Sequence, residues 1–494
     1  MGSATLIDLQ ARRGSAGGPS PPDDEEPVTL YARRKQIYPQ LVSGRFRTIK
    51  WAVLAATLGV YYLLPFLRWD RGPDAPDQAV LADFAGGRFY IFGLEIWPQE
   101  VFYITGLLIL AAVGLFLVTA LFGRVWCGYL CPQTIWTDLF IVVERLFEGD
   151  RNARIRRDKA PWSFDKVWRK IAKHAVWLLV SFLTGGAFIL YWHDARDLTQ
   201  TYFSGHAPMT AYVFAALLTA TTYALAGTMR EQLCTYMCPW PRIQAALVDR
   251  NTVAVTYRSD RGEPRGAHKK GESWVGRGDC IDCKQCVVVC PMGIDIRNGP
   301  QLECIQCSLC IDACNAVMKK VGRPKGLIAY DTDDNVVRRS MKQRPAPFQP
   351  FRSRTVLYAV VFALTGGLMA FGLATRSDLD LSVSKDRALP YLELASGDVR
   401  NVYTIKVANK QRAVRDLALK VEGIVGAQIE IVGESDAAAP GHITPAPDGV
   451  DRYRLLVTVP AASLGATSAP ISILLFDGGR PAASATTQFQ GPEH

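Results

Sequence analysis

Eight of the chain's twelve cysteines fall in two runs of one spacing, Cys-x2-Cys-x2-Cys-x3-Cys. CIDCKQCVVVC holds Cys280, Cys283, Cys286 and Cys290; CIQCSLCIDAC holds Cys304, Cys307, Cys310 and Cys314. A [4Fe–4S] cubane offers four iron corners, each taking one thiolate. Cysteines at every third residue wrap three corners, and the fourth, a helical turn later, points away to a second cluster. The spacing therefore predicts two clusters with crossed ligands: Cys280, Cys283, Cys286 and Cys314 for one, Cys304, Cys307, Cys310 and Cys290 for the other. Zinc typically uses paired Cys-x2-Cys units, and two runs of four are unusual for it. Pro291 follows Cys290 whereas Asn315 follows Cys314, a departure that removes no ligand. Clusters sharing crossed ligands lie close, so the module reads as an electron wire.

The other four cysteines repeat a different motif, Cys-x-x-x-Cys-Pro, in WCGYLCPQ (Cys127, Cys131) and LCTYMCPW (Cys234, Cys238), each at the end of an apolar run. Cysteines four apart on a helix share a face. Proline disfavours helical geometry in the residue before it, so each helix should end near Cys131 or Cys238. If the two copies converge, four soft thiolates select Cu(I), zinc or an iron–sulfur centre. A site that prefers Cu(I) raises the copper couple by about 59 mV per tenfold preference. These thiols are the candidate catalytic group and a possible copper site. A reversible dithiol relay is the competing use, and plain packing of cysteine as a small hydrophobe is the bland one. Met237, inside the second motif, reads as packing sooner than as a thioether ligand.

The elements that must position these groups are membrane spans. The chain has 494 residues, 49% of them hydrophobic, and a net charge of +10. Five apolar runs reach the roughly 20 residues a bilayer requires: about Ile49 to Leu67, Val101 to Phe122, Ile171 to Trp192, Ala211 to Met229 and Thr355 to Ala374. The first lies behind a Gly/Pro/Ser tail and a basic patch (Arg33, Arg34, Lys35, Arg45, Arg47, Lys50), without the short n-region of a cleavable signal, and reads as a retained anchor. Basic residues cluster in alternate connecting segments, which by the positive-inside rule places the N-terminus, both motifs and the ferredoxin runs in the cytoplasm and the C-terminal domain outside. A nucleic-acid surface would also be basic, but here the charges flank spans and no reading motif accompanies them. All cysteines then face the cytoplasm, the opposite of where structural disulfides belong.

The segment after the first motif has Ile135, Trp136, Leu139, Phe140, Val143, Leu146 and Phe147 at helical spacing and reads as an amphipathic helix along the inner leaflet. Ala120-Leu-x-Gly123 and Ala224-Leu-x-Gly227 correspond loosely, as an old duplication of span plus motif would leave them. The triplets Thr184-Gly185-Gly186 and Thr365-Gly366-Gly367 read as packing surfaces. With six histidines, only His174 within a span, a bis-histidine haem is unsupported; His193 and His206 read as surface residues. No dinucleotide fingerprint or Walker loop is present, so electrons must come from a protein or a quinol. Lys319, Lys320, Arg323 and Lys325 read first as a solvated charge run, with docking of an acidic donor as the alternative. Beyond about Arg376, VYTIKV, AQIEIV, RYRLLVTV and PISILLFD alternate between Gly/Pro/Asp breaks, predicting a β-sandwich of about seven strands.

The expected organisation is a cytoplasmic tail (1–48, disordered to about Val28), a four-span membrane domain with the first motif (49–229), a cytoplasmic segment with the second motif and a bacterial-ferredoxin-like 2[4Fe–4S] module (230–354), a fifth span (355–374) and an outer β-sandwich (375–494). Five spans, twin Cys-x-x-x-Cys-Pro motifs, CIDCKQCVVVCPMGIDIRNGPQLECIQCSLCIDAC, a cysteine-free outer tail and the loop text PDQAVLADF…RFYIFGLEIWPQE together resemble the CcoG/FixG/RdxA family. The resemblance covers nearly everything beyond the tail. It implies a bacterial inner-membrane cupric reductase that supplies Cu(I) for cbb-type cytochrome c oxidase maturation. Its partners would be copper ion and oxidase subunits or copper-delivery proteins, and its periplasmic domain would be immunoglobulin-like. Two other readings stay open: a quinol-linked membrane ferredoxin of NapH/NosR type, and a redox-sensing assembly scaffold.

Overall fold

Among the described residues five helices are long and apolar enough to cross a membrane: Arg45–Phe66, Pro98–Phe122, Phe164–Ile189, Met209–Met229 and Ser353–Ala374. The computed structural model describes residues 36–72, 75–269, 271–386, 390–432, 441–463 and 467–492; the expected disordered tail and Arg33, Arg34 and Lys35 lie outside them. Each apolar run overlaps one helix. The third starts two turns before its run, at Phe164, because Ser163 Oγ accepts from Lys166 N–H at 3.3 Å and caps it. Its glycines differ in use. A Cβ at Gly185 would meet Ala215 O at 2.8 Å on span four, so close packing needs glycine there, whereas Gly186 faces nothing within 4 Å.

Between spans one and two the chain forms a small antiparallel sheet, β1 (Val80–Asp83), β2 (Arg88–Ile91) and β3 (Leu94–Ile96). In the ferredoxin segment β4 (Ala254–Tyr257) pairs antiparallel with β5 (Ile328–Asp331), closing the cysteine runs between them. The first span is tied to this segment: Asp312, on the helix Leu309–Lys320, accepts from the N–H of Arg47 at 2.8 Å and of Phe46 at 3.3 Å. A carboxylate thus satisfies the free donors of a helix N-terminus across a gap of more than 260 residues in sequence.

The helix after the first motif, Pro132–Glu148, departs from expectation. Its polar face is not turned to water along a membrane surface. Asp138, Glu144 and Glu148 are all buried. Both oxygens of Asp138 accept from Arg47 at 2.9 Å, with Lys50 at 3.7 Å. Glu144 binds Arg154 and Arg230, and Glu148 binds Lys173 at 3.0 Å. The apolar face packs with Trp177 and Ala226 through Phe140 and Val143. The acids of this helix thus face the protein, where the ion pairs make their burial tolerable, while Leu146 on its apolar side stays exposed.

The C-terminal unit has two antiparallel sheets. One runs β10 (Gln428–Val432), β12 (Gly449–Val459), β8 (Val399–Asn409), β6 (Leu379–Lys385), with β7 (Leu392–Glu393) also on β8. The other runs β11 (His442–Ile443), β9 (Leu417–Glu422), β13 (Ser468–Asp477), β14 (Arg480–Gln490). Alternate residues point into the core: Tyr403, Ile405 and Val407; Leu455, Val457 and Val459; Ile471, Ile473 and Leu475. The four alternating sequence runs all fall in strands; β6 (Leu379, Leu381, Val383) and β9 (Leu417, Leu419, Val421) alternate as well, and β7, β11 and β14 complete the sheets. Asn401 Nδ2 to Gln490 O at 2.7 Å and Tyr403 Oη to Gln488 O at 2.9 Å join the sheets.

Candidate functional site: two thiol-lined cavities and a thiol junction

The two cysteine runs fold alike for a backbone reason. In each, the residues flanking the second cysteine have left-handed φ: Asp282 (52°) and Lys284 (55°) around Cys283, Gln306 (55°) and Ser308 (62°) around Cys307. Such turns are uncommon for non-glycine residues. They wrap the chain tightly, so that successive thiols converge and backbone N–H groups turn toward one concavity, which suits an anion.

The result is two cavities. Cys280, Cys283, Cys286 and Cys314 line one of about 350 Å³, walled also by Tyr257, Arg297 and Ile328. Cys290, Cys304, Cys307 and Cys310 line another of about 370 Å³, with Met292, Ile305 and Gln306. The fourth cysteine of each run lines the other run's cavity, and Cys286 walls both. Every cysteine is a free thiol. Burial pushes Cys286 and Cys304 up to about 11 and Cys290 and Cys314 up to about 12; Cys310 rises well above the usual thiol range. Backbone N–H groups oppose burial by donating to sulfur, from Gln306 to Cys304, Met292 and Ile294 to Cys290, and Ile328 to Cys314. Four thiols per cavity with N–H donors aimed at sulfur fit a cubane. Among the described residues no three His, Cys, Asp or Glu side chains close on a point as ligands of a single ion would.

The cavities differ in exposure. Cys283 is exposed, so the first opens to solvent. The second lies against the first Cys-x-x-x-Cys-Pro motif. A Cβ on Gly128, the centre of WCGYLC, would meet Ile305 O at 2.7 Å and Gln306 O at 2.8 Å. The motif therefore rests backbone to backbone on the loop carrying Cys304 and Cys307. Cys127 shares an apolar cluster with Ile305, Cys307 and Leu309.

The two motifs are built alike, but neither is a plain α-turn. Cys131 N–H bonds Trp126 O at 2.9 Å and Cys238 N–H bonds Leu233 O at 2.8 Å, each spanning five residues. The turn Leu233–Met237 is π-helical, as is the end of span four, Tyr223–Met229. In the first motif Val125–Tyr129 is α-helical as expected and only the closing bond is wide, whereas the second motif winds as a π turn; in both, the following proline lacks an N–H and Cys131 and Cys238 take extended backbone. Four residues before each motif's first cysteine the chain breaks at positive φ, at Gly123 (60°) and Arg230 (38°). That pairing corrects the loose correspondence of Gly123 with Gly227: in the register of the motifs, Gly123 matches Arg230.

The four motif thiols are electrostatic neighbours. Burial pushes Cys127 up to about 12, with Cys131 and Cys234 adding and Arg124 opposing. Cys234 is pushed up to about 11 by burial, then by Cys131 and Cys238. Burial raises Cys131 too, opposed by N–H groups of Thr134 and Gln133 at the N-terminus of the next helix. Cys234 opens on a cavity of about 360 Å³ lined by Lys50, Gln133, Asp138, Arg230 and Glu231, which shares Met292 and Ile305 with the second thiol cavity. One layer of side chains separates them.

Sequence reasoning missed Arg124, Gly128, Gln306 and Gln244. Cys127 Sγ lies 3.4 Å from Gln244 Oε1, and Gln306 Oε1 accepts from Arg124 N–H at 3.0 Å. An arginine closing the apolar run before each motif was the available signal. His174 bonds Tyr223 Oη at 2.8 Å and is a packing residue between spans.

Comparison with known proteins agrees with this arrangement. Residues 229–333 match a 4Fe-4S dicluster domain, residues 104–149 a 4Fe-4S binding domain, and residues 369–492 the immunoglobulin-like fold at the C-terminus of FixG. The second match contains only Cys127 and Cys131, so it can supply two thiols at most. The chain is 47% identical to nitrogen fixation protein FixG of Rhizobium meliloti (91% of this chain, 91% of that one) and 49% identical to protein RdxA of Cereibacter sphaeroides (92% and 96%). Protein RdxB of the same organism is 47% identical over 89% of each chain. With apolar helices, iron–sulfur domains and the FixG-type sandwich in one continuous match, the chain belongs to the FixG/RdxA family of iron–sulfur proteins.

Proposed function

We propose that this protein is a membrane iron–sulfur reductase that passes electrons from a cytoplasmic donor to Cu(II), releasing Cu(I) for maturation of a cbb-type oxidase. Cys280, Cys283, Cys286 and Cys314 hold one [4Fe–4S] cluster; Cys290, Cys304, Cys307 and Cys310 hold the other. Bound there, the clusters supply one-electron transfers in a potential range that extends to about −700 mV. The chain supplies order. Cys283 marks the solvent end, where the donor approaches; Cys286 is the wall common to both cavities. Met292, Ile305 and Cys127 connect the inner cavity to the four motif thiols. Cys127, Cys131, Cys234 and Cys238 take copper as substrate: each Cu(II) gains one electron and leaves as Cu(I), which soft thiolates favour. The observation that carries this reading is the shared wall between the inner cavity and the chamber holding Cys234. Positive charge near the spans supports a cytoplasmic ferredoxin segment and a periplasmic sandwich in a bacterial inner membrane.

The test is Cu(II) reduction by the purified, chemically reduced protein, read with a Cu(I) chelator, against a variant with the four motif cysteines changed to serine. Unchanged activity in the variant would remove the thiols from the reaction. A second reading, quinol-linked electron transfer, is favoured by an apolar cavity of about 740 Å³ between spans one and three, lined by Tyr62, Phe182, Leu183, Gly186, Leu198 and Tyr202. Quinol oxidation without copper reduction would select it.

A further inference from the structure

Arg124 sits at the junction between the inner thiol cavity and the motif thiols, and it is 7% exposed. Its guanidinium donates to the carbonyls of Leu302, Cys304 (3.1 Å) and Pro241 (2.7 Å). Among the described residues it forms no ion pair. Arg230, the arginine before the second motif, is by contrast neutralised by Glu144. Burying a cation on carbonyl dipoles alone is costly. Burial acts most strongly on Arg124, opposed in order by Cys127, Cys304, Cys234 and Glu303. Its neighbours thus include one cysteine of the inner cavity and one of each motif.

We infer that Arg124 is a positioning residue whose uncompensated charge raises the reduction potential of the inner cluster above that of the outer one, so that electrons settle beside the motif thiols. A reduced cluster carries one more negative charge than an oxidised one, and a fixed cation in a poorly solvated site stabilises the more negative state. The outer cavity has no buried equivalent. Arg297 lines it but is held by Asp295 and Asp282, Lys284 lines it but is exposed to solvent, and Arg261 and Arg323 are both held by Asp279. Arg124 is instead buried beside the inner-cavity loop with no carboxylate paired to it among the described residues. The inference rests on the assignment of clusters to these cysteines.

The test is a potentiometric titration of the full-length protein followed by electron paramagnetic resonance, with iron and acid-labile sulfide measured on the same samples. Absence of eight irons' worth of cluster in the wild type would defeat the ligand assignment, whatever the potentials. With clusters present, Arg124→Gln should lower the reduced-to-oxidised ratio of the inner cluster about tenfold at fixed ambient potential, a shift of about 59 mV for one electron, and leave the outer cluster unmoved. Arg124→Lys, which keeps the charge but not the three-carbonyl fork, should stay within about twofold of wild type, under about 20 mV by the same conversion. A shift in both variants, or in neither, overturns the inference. If Arg124→Gln fails to hold iron, Arg124→Met decides by the same titration, since it keeps an unbranched side chain of similar length without the charge: an unshifted inner cluster overturns the inference and a downward shift supports it.

Discussion

Replacing Gly128 by alanine tests the contact on which the proposed electron path depends. The new Cβ would lie 2.7 Å from Ile305 O and 2.8 Å from Gln306 O, both backbone atoms. Ordinary van der Waals contact begins near 3.4 Å, so the motif and the cysteine loop must part by about 0.7 Å or the loop must bend. The loop cannot bend freely, because Cys304 and Cys307 bracket those two carbonyls and both line the inner cavity. Overpacking of this kind costs about 1–3 kcal/mol. Alanine gives back about 0.5–1 kcal/mol in a helix relative to glycine. The difference is a net loss of up to about 2.5 kcal/mol, centred near about 1 kcal/mol, and about 1 kcal/mol is roughly a fivefold fall in the folded-to-unfolded ratio. The assay is thermal loss of iron–sulfur absorbance in detergent, paired with the rate of cluster reoxidation by Cu(II). Gly186→Ala is the control, since nothing lies within 4 Å of its Cβ, and it should be neutral or slightly stabilising. The reasoning fails if Gly128→Ala melts with Gly186→Ala and reoxidises at the wild-type rate.

Three further outcomes are expected. An iron chelator should empty the cavity holding exposed Cys283 before the one holding Cys310, seen as stepwise loss of two distinct paramagnetic signals; the reverse order contradicts the assignment of outer and inner. Asp138→Asn leaves Arg47 and Lys50, each 4% exposed, without their carboxylate, and should cost about 3–5 kcal/mol, whereas Asp77→Asn at the exposed end of the Arg68 pair should cost about 0–1 kcal/mol; comparable melting temperatures would refute the contrast. Arg68 holds the Asp194 carboxyl below the usual range, and Asp194 also caps the helix Ala195–Phe203. A depressed carboxyl contributes stability above its unfolded value, and that contribution is lost as pH falls through the folded value. The melting gap between wild type and Asp194→Asn should therefore be widest near neutrality and close below about pH 4; a gap independent of pH would argue against the pairing.

What the sequence disclosed and what it hid follow from the range of the interactions. Cysteines three apart announce their own loop, an apolar run announces its own helix, and Tyr403, Ile405 and Val407 announce their strand by alternation. Helix Pro132–Glu148 is legible from its local apolar periodicity, but the burial of Asp138, Glu144 and Glu148 is not, because the groups that permit it sit at Arg47, Lys173 and Arg230. Gly128 carries no local sign, and Arg124 only its place after an apolar run; the meaning of both depends on carbonyls at Leu302, Cys304, Ile305 and Gln306, in a segment almost 180 residues away. The π turns escaped for a related reason: Cys-x-x-x-Cys reads as an α-helical spacing until the backbone bonds are seen to skip a residue.

The exchange of fourth sulfurs between the runs has a consequence for biogenesis. Neither basket is complete while the nascent chain ends before Cys310, and the solvent-side one waits for Cys314. Cluster loading at these sulfurs would therefore require a finished hairpin rather than two successive half-sites, and a chain stalled between Cys290 and Cys304 would expose thiols that no cubane can yet cap.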